Sequence, residues 1–148
     1  MFVCHGNICR SPMAEFVFKD LAEKAGRGNE FFVSSCAVST EEIWGGVGNP
    51  VYLPVKKLLA GLGISCEGKR AKLLTKEDGQ VFDYLFCMDE SNVRRAKAIV
   101  GQENAKKCVL LLEFAGRNGS VADPWYTRDF EETYQDIFFG CKAILEKL

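Results

Sequence analysis

A cysteine and an arginine stand with five residues between them in Cys4-His5-Gly6-Asn7-Ile8-Cys9-Arg10, with Ser11 and Pro12 directly behind. Turned tightly, such a stretch can aim the backbone N–H groups from His5 to Arg10 at one tetrahedral oxyanion. A helix starting near Ser11 adds its positive dipole end to the same spot. Arg10 closes the ring with a planar fork that matches two phosphate oxygens. The thiol of Cys4 lies at the base of this positive field, which favours its ionised, nucleophilic form. A passive phosphate site needs no such thiol, so the spacing predicts a covalent phosphatase loop.

The elements that must position this loop alternate between strand-like and helix-like patterns. Met1 to Cys4 is a short apolar strand. Pro12 to about Ala25 carries Met13, Phe16, Val17 and Leu21 at helical spacing, with Ser11 and Pro12 at its start and Gly26 at its end. Phe31 to Val38 reads as a second strand, Ser39 to Pro50 as a glycine-rich loop, and Val51 to Leu62 as a helix. Phe82 to Met88 is a third, continuously apolar strand, after which Asp89 caps a helix reaching about Val100. Cys108 to Phe114 reads as a fourth strand, Ala115 to Arg128 as a polar loop, and Phe130 to Leu148 as a final helix. Unbroken apolar strands alternating with helices predict a parallel sheet covered on both faces. Ligands of such sheets bind beyond the carboxyl ends of the strands. The Cys4 loop follows strand one and the Asp123 loop follows strand four, so both are expected on that edge.

Composition narrows the class. At 148 residues, 47% of them hydrophobic, the chain has the size of one domain, and residues 1–148 contain no repeat or linker to divide it. A net charge of −1 with no basic run argues against nucleic acid or an anionic membrane as partner. Met1-Phe2-Val3 leads straight into the motif without a signal-peptide pattern, and no stretch is apolar enough to span a bilayer. The seven cysteines are odd in number and irregular in spacing, and Cys36, Cys66, Cys87, Cys108 and Cys141 read as reduced packing thiols. A cytoplasmic monomer is the expected setting.

The string VCHGNICRSP (Val3 to Pro12) resembles the active-site loop of the low-molecular-weight protein tyrosine phosphatases. Asp123-Pro124-Trp125 resembles that family's second motif, and FDYLFCMDESN (Phe82 to Asn92) its strand ending in Met-Asp and opening a helix. Together these span the chain at family-like spacing. The expected architecture is a three-layer α/β/α fold with a central four-stranded parallel sheet in flavodoxin-like order 2-1-3-4. The resemblance implies a phosphotyrosine or small aryl phosphate substrate, with no cofactor and no metal; the only histidine is His5. Cys4 would attack phosphorus while the loop amides and Arg10 hold the equatorial oxygens. Asp123 would protonate the departing aryl oxygen and later activate water. Ser11 would hydrogen-bond the Cys4 sulfur, and Asn7 would brace the loop. Trp125 and Tyr126 would form an aromatic wall for the substrate ring. Trp44 is either the opposite wall or a loop anchor, and His5 belongs at the pocket mouth. Cys9 is either inert or the partner of Cys4 in a reversible disulfide. Lys69 replaces a histidine that supports the loop asparagine in many members, and Ser35 is the matching brace from the second strand. Three residues precede Cys4, where members usually have more.

Three other functions share parts of this pattern. A thioredoxin-coupled arsenate reductase needs two resolving cysteines near the third strand; Cys87 offers one, and Met88 to Gly101 contains no other. A protein-arginine phosphatase carries threonine where this chain has Ile8, and an apolar Ile8 suits an aryl group better than a guanidinium. A phosphotyrosine-binding module without catalysis would dispense with Cys4, Arg10 or Asp123, and all three are present. A zinc site from Cys4, His5 and Cys9 lacks a second ligand pair.

Overall fold

The computed structural model describes residues 1–148. In chain order its first elements are β1 (Phe2–Cys4), α1 (Arg10–Lys24) and β2 (Ser35–Ala37). A small hairpin, β3 (Ile43–Trp44) and β4 (Val47–Gly48), precedes α2 (Leu53–Gly61) and α3 (Lys76–Val81). Then come β5 (Leu85–Cys87), α4 (Glu90–Val100) and β6 (Cys108–Leu110). Three helices end the chain: α5 (Leu111–Phe114), α6 (Pro124–Thr127) and α7 (Phe130–Lys147).

The four-stranded sheet runs β2-β1-β5-β6, all parallel, with Phe2 opposite both Ser35 and Phe86 and Leu85 opposite Cys108. Counting only the strands of this sheet, that is the expected order 2-1-3-4. Period-two alternation divides the strands between two cores. Phe2, Cys4 and Phe86 face α1, α2, α5 and α7, where Met13, Val17, Leu59, Leu111 and Ile137 are buried. Val3, Cys36, Leu85 and Cys87 face α4, whose Ala96 and Val100 are buried with Leu74. Because both faces are covered, the strands read as continuous apolar runs.

Close packing of α5 on α7 depends on one glycine. A Cβ on Gly140 would stand 2.6 Å from Leu111 Cγ and under 3 Å from both of its methyl groups. Leu111 is fully buried and cannot move aside. Gly140→Ala is therefore expected to cost about 1–3 kcal/mol by overpacking. In a thermal melt this corresponds to a midpoint lowered by roughly 5 °C; an unchanged midpoint would show that the two helices can part freely.

The structure corrects several expected boundaries. Helix α1 begins at Arg10, so Ser11 is an interior residue of the first turn, and Cys9 occupies the cap position without a side-chain bond. The second strand is only Ser35–Ala37, since its ladder with β1 runs from Phe2↔Ser35 to Cys4↔Ala37. The run read as a strand to Phe114 turns helical after Leu110, because Leu111 and Leu112 reach the core better from a helical turn against α7. The glycine-rich loop contains the β3–β4 hairpin, whose Gly45-Gly46 tip has positive φ at both positions (55° and 79°). Helix α3 is not among the expected elements; the signal for it was Thr75-x-x-Asp78, a capping box with both reciprocal bonds formed.

Candidate active site

At the carboxyl end of β1 the chain wraps around the sulfur of Cys4. Asn7 adopts the left-handed conformation, φ 60°, which asparagine tolerates and which turns its N–H back to Cys4 Sγ at 3.3 Å. Ser11 Oγ lies 3.0 Å from the same sulfur. The N–H groups of Gly6, Ile8 and Cys9 meet no acceptor within the fold. Donors left open beside a helix N-terminus are what an anion cradle requires. The loop is pinned from outside, with Tyr52 N–H donating to Ile8 O (2.9 Å) and Ser39 N–H to His5 O (3.0 Å).

Arg10 is buried, and three groups aim its guanidinium. Nη1 donates to Asp89 Oδ2 (2.8 Å) and to Val121 O (2.9 Å), and Nη2 lies 3.5 Å from Asp123 Oδ2. Burial opposes the charge, but Cys4, Asp89 and Asp123 outweigh it and hold Arg10 more firmly protonated than an ordinary arginine. Asp89 was foreseen only as the cap of α4. It fills that role through Oδ1, which accepts from Asn92 N–H at 2.9 Å, while Oδ2 serves Arg10. Its position at the end of an apolar strand, on the ligand-binding edge, was the available signal.

Asp123 reaches this edge by a route the sequence did not reveal. Val121 N–H donates to Met88 O (2.9 Å), extending the end of β5, and Thr133 Oγ1 donates to Ala122 O (3.1 Å) from α7. Asp123 then caps the single turn of α6, accepting from Trp125 N–H at 3.0 Å. That leaves its other oxygen facing Arg10.

Cys4, His5, Gly6, Asn7, Ile8, Cys9, Arg10 and Asp123 all line one pocket of about 170 Å³, together with Trp125, Tyr126, Glu41 and Glu42. Trp125 is steadied by Tyr52 (ring centroids 5.3 Å apart) and by the Arg128 guanidinium 5.6 Å above it. Tyr126 is 81% exposed and free to swing. His5 sits at the mouth as expected, its Nε2 3.0 Å from Glu41 Oε2. Trp44 does not. It is 74% exposed at the tip of the β3–β4 hairpin, neither wall nor anchor, because the hairpin turns it into solvent. Glu41 and Glu42 line the pocket in its place.

Behind the loop stands a polar brace. Asn7 Nδ2 donates to Ser11 Oγ (2.7 Å) and Ser35 Oγ (3.0 Å), and Asn7 Oδ1 accepts from Lys72 N–H (3.1 Å). Ser35 donates to Glu15 Oε1 at 2.6 Å. Lys69 does not touch Asn7: its Nζ reaches Glu15 Oε1 (3.1 Å) and Ser35 O (3.0 Å), and so supports the loop at one remove. Sequence reading missed Glu15, because a lone glutamate on an amphipathic helix gives no sign of being buried.

The remaining thiols are buried and none forms a disulfide. Burial, aided by the nearby charges of Cys4 and Asp123, pushes Cys9 up to about 12, and burial likewise raises Cys36, Cys66, Cys87, Cys108 and Cys141. No group of three or more His, Cys, Asp or Glu side chains is arranged to hold a metal ion. A larger apolar groove of about 680 Å³ opens at the opposite, amino end of the strands, lined by Phe31, Phe82 and Tyr84, and shares no residue with the Cys4 pocket. No helix is long and apolar enough to cross a membrane.

Known proteins are similar to this chain in sequence and fold. The family model for low molecular weight phosphotyrosine protein phosphatase matches residues 1–148. The low molecular weight protein-tyrosine-phosphatase YfkJ of Bacillus subtilis is 36% identical over 150 residues, covering 100% of this chain and 94% of the relative. Its crystal structure matches with a TM-score of 0.90 over 99% of this chain and 91% of that one. The low molecular weight phosphotyrosine protein phosphatase of Gallus gallus is 40% identical over 154 residues, 99% of this chain and 93% of the relative. SP-PTP, the low molecular weight protein tyrosine phosphatase of Streptococcus pyogenes, has a TM-score of 0.86 at 39% identity, over 99% of this chain and 90% of its own. The family match over the whole chain and the agreement of sequence and fold with these relatives show that the chain belongs to the low molecular weight phosphotyrosine protein phosphatase family.

Proposed function

We propose that residues 1–148 act as a single-domain hydrolase of protein phosphotyrosine and small aryl phosphates, with Cys4 as nucleophile, Arg10 as phosphate clamp and Asp123 as general acid and base. The observation that carries this reading is the convergence of these three side chains on one pocket whose floor is a set of open amides. The Cys4 thiolate attacks phosphorus in line with the departing oxygen. An S–P bond forms, the P–O(aryl) bond breaks, and Asp123 delivers a proton to the phenolic oxygen. Loop amides and the Arg10 fork take the charge of the equatorial oxygens. Water then attacks the phosphocysteine, giving up a proton to Asp123, and inorganic phosphate and the thiolate are released. The scheme uses no cofactor and no metal.

Pocket shape supports an aryl substrate. Cys4 is 3% exposed at the base, so a phosphate must enter on a stem long enough to pass Ile8 and Trp125. A tyrosine ring provides that length and stacks on Trp125. Phosphoserine is too short, and the apolar Ile8 suits an aryl ring better than the polar guanidinium of phosphoarginine. The partners in this reading are phosphotyrosine proteins met by a cytoplasmic monomer, and a net charge of −1 argues against nucleic acid.

Turnover of a phosphotyrosine peptide, a phosphoserine peptide and phosphoarginine can be compared under reducing, metal-free conditions. The phosphotyrosine peptide is expected to be preferred by at least about 100-fold in kcat/KM, the scale on which an apolar pocket wall rejects a polar group. A preference for phosphoarginine would overturn the assignment.

A further inference from the structure

We propose that Glu41 and Glu42 are specificity-determining residues that select phosphotyrosine sites flanked by lysine or arginine; the inference rests on the phosphatase reading above. Both side chains line the pocket that is to receive a phosphate. This is an unfavourable place for them, because a phosphate monoester dianion entering past two carboxylates meets like charge. Arg10 is the only arginine or lysine in the lining, and it is buried. Arg128 is occupied elsewhere: its guanidinium lies over the Trp125 ring and its Nη1 is 3.5 Å from Tyr52 Oη, outside the lining. His5 answers Glu41 with a charge only when protonated.

The fold holds these carboxylates where they are. Asn49 fixes Glu42 twice, its Nδ2 donating to Glu42 Oε2 at 2.7 Å and its backbone N–H to Glu42 O at 2.8 Å. The Glu42 stem lies against the phosphate loop, since a Cβ on Gly6 would stand 3.1 Å from Glu42 Cγ. Glu41 is exposed, and its carboxylate meets only His5, with Nε2 3.0 Å from Oε2. Each glutamate thus keeps one oxygen, Oε1, that accepts no hydrogen bond within the fold and is open to a donor from outside.

A pocket of about 170 Å³ has room for little beyond an aryl phosphate, so the backbone of a peptide substrate stays at the rim. An extended chain advances about 3.3 Å per residue, which puts side chains one or two positions from the phosphotyrosine in reach of Glu41 and Glu42. A lysine or arginine there brings its cation to the two open oxygens and turns repulsion into attraction. An aspartate or glutamate there adds a third negative charge. Selection of this kind acts as much by rejecting the wrong flank as by holding the right one.

Three phosphotyrosine peptides of one length provide the test, with lysine, alanine or glutamate at the two positions on either side of the phosphotyrosine. At low ionic strength the lysine peptide is expected to exceed the glutamate peptide about tenfold in kcat/KM, the combined effect of a few exposed charge pairs. In about 1 M salt, where screening acts within about 3 Å, the two should converge. A Glu41→Gln/Glu42→Gln chain keeps the acceptors that face His5 and Asn49. It should lose the preference and bind inorganic phosphate about two- to threefold more tightly, as repulsion at the mouth is relieved. Opposite effects on the two ligands are not what a merely structural role would produce. Glu41→Lys should shift the preference toward the glutamate peptide. Equal turnover of the lysine and glutamate peptides by the parent at low salt would sink the proposal, as would a preference that survives in the double variant. If that variant does not fold, Glu41→Gln alone, a change to an exposed side chain, should cut the preference about threefold, and an uncut preference counts against the proposal. Calorimetric binding of the same peptides to the Cys4→Ser chain separates the two readings: flank-dependent binding without hydrolysis by the parent keeps the selectivity and loses the phosphatase assignment.

Discussion

Cys4→Ser is expected to lower turnover of para-nitrophenyl phosphate by at least about 10⁴-fold, the scale on which removal of a nucleophile acts. Serine keeps the loop's shape: it is one atom's radius smaller, and its hydroxyl can still accept from Asn7 N–H and exchange a hydrogen bond with Ser11. Chemistry is what it loses. A serine hydroxyl has no adjacent base here to take its proton, since the partners of the Cys4 sulfur are the Ser11 hydroxyl and the Asn7 N–H. Phosphate and orthovanadate should still bind, because the open amides and Arg10 remain. Residual turnover near the parent level would mean that Cys4 is not the nucleophile, and loss of oxyanion binding would mean that the loop had collapsed.

Asp123→Asn is the more diagnostic change. Asparagine is as good a helix cap as aspartate, so the bond to Trp125 N–H and the turn of α6 should persist. What disappears is the transferable proton, together with the negative charge 3.5 Å from Arg10. With phosphotyrosine, whose phenolic oxygen leaves badly unless protonated, kcat should fall about 10²–10⁴-fold. With 2,4-dinitrophenyl phosphate, whose leaving group needs no proton, the loss in the first step should shrink by at least about an order of magnitude. Pre-steady-state release of the phenol separates that step from hydrolysis of the phosphocysteine. Equal losses with both leaving groups would assign Asp123 to holding Arg10 rather than to proton transfer.

Much of the site could be read because its chemistry is local. From Cys4 to Arg10 the loop is a single turn of backbone, so nucleophile, amides and guanidinium are close in space whatever the rest of the chain does. Asp123-Pro124-Trp125 was likewise legible, because a carboxyl followed by proline and an aromatic makes its own cap and presents its own wall. Glu41 and Glu42, by contrast, reach the pocket only through the β3–β4 hairpin, and Trp44 is carried away from it by the same turn. The tandem glycines that make this hairpin announce a turn but not the direction in which its side chains point.

Secondary structure followed the same division. The helices α1, α2, α4 and α7 were readable from their periodicity and their ends, whereas Leu111 to Phe114 was not, since an unbroken apolar run fits a strand and a buried helix turn equally. The type and order of residues already carried the parallel sheet, the Cys4 loop and the capped Asp123 turn, because each depends on contacts within a few residues or on a repeating pattern. The double role of Asp89, the descent of Asp123 along the end of β5 and the burial of Glu15 between Lys19 and Lys69 exist only after distant segments pack. Their partners lie on other elements of the fold, and no local pattern records which face of a helix or strand end will meet them.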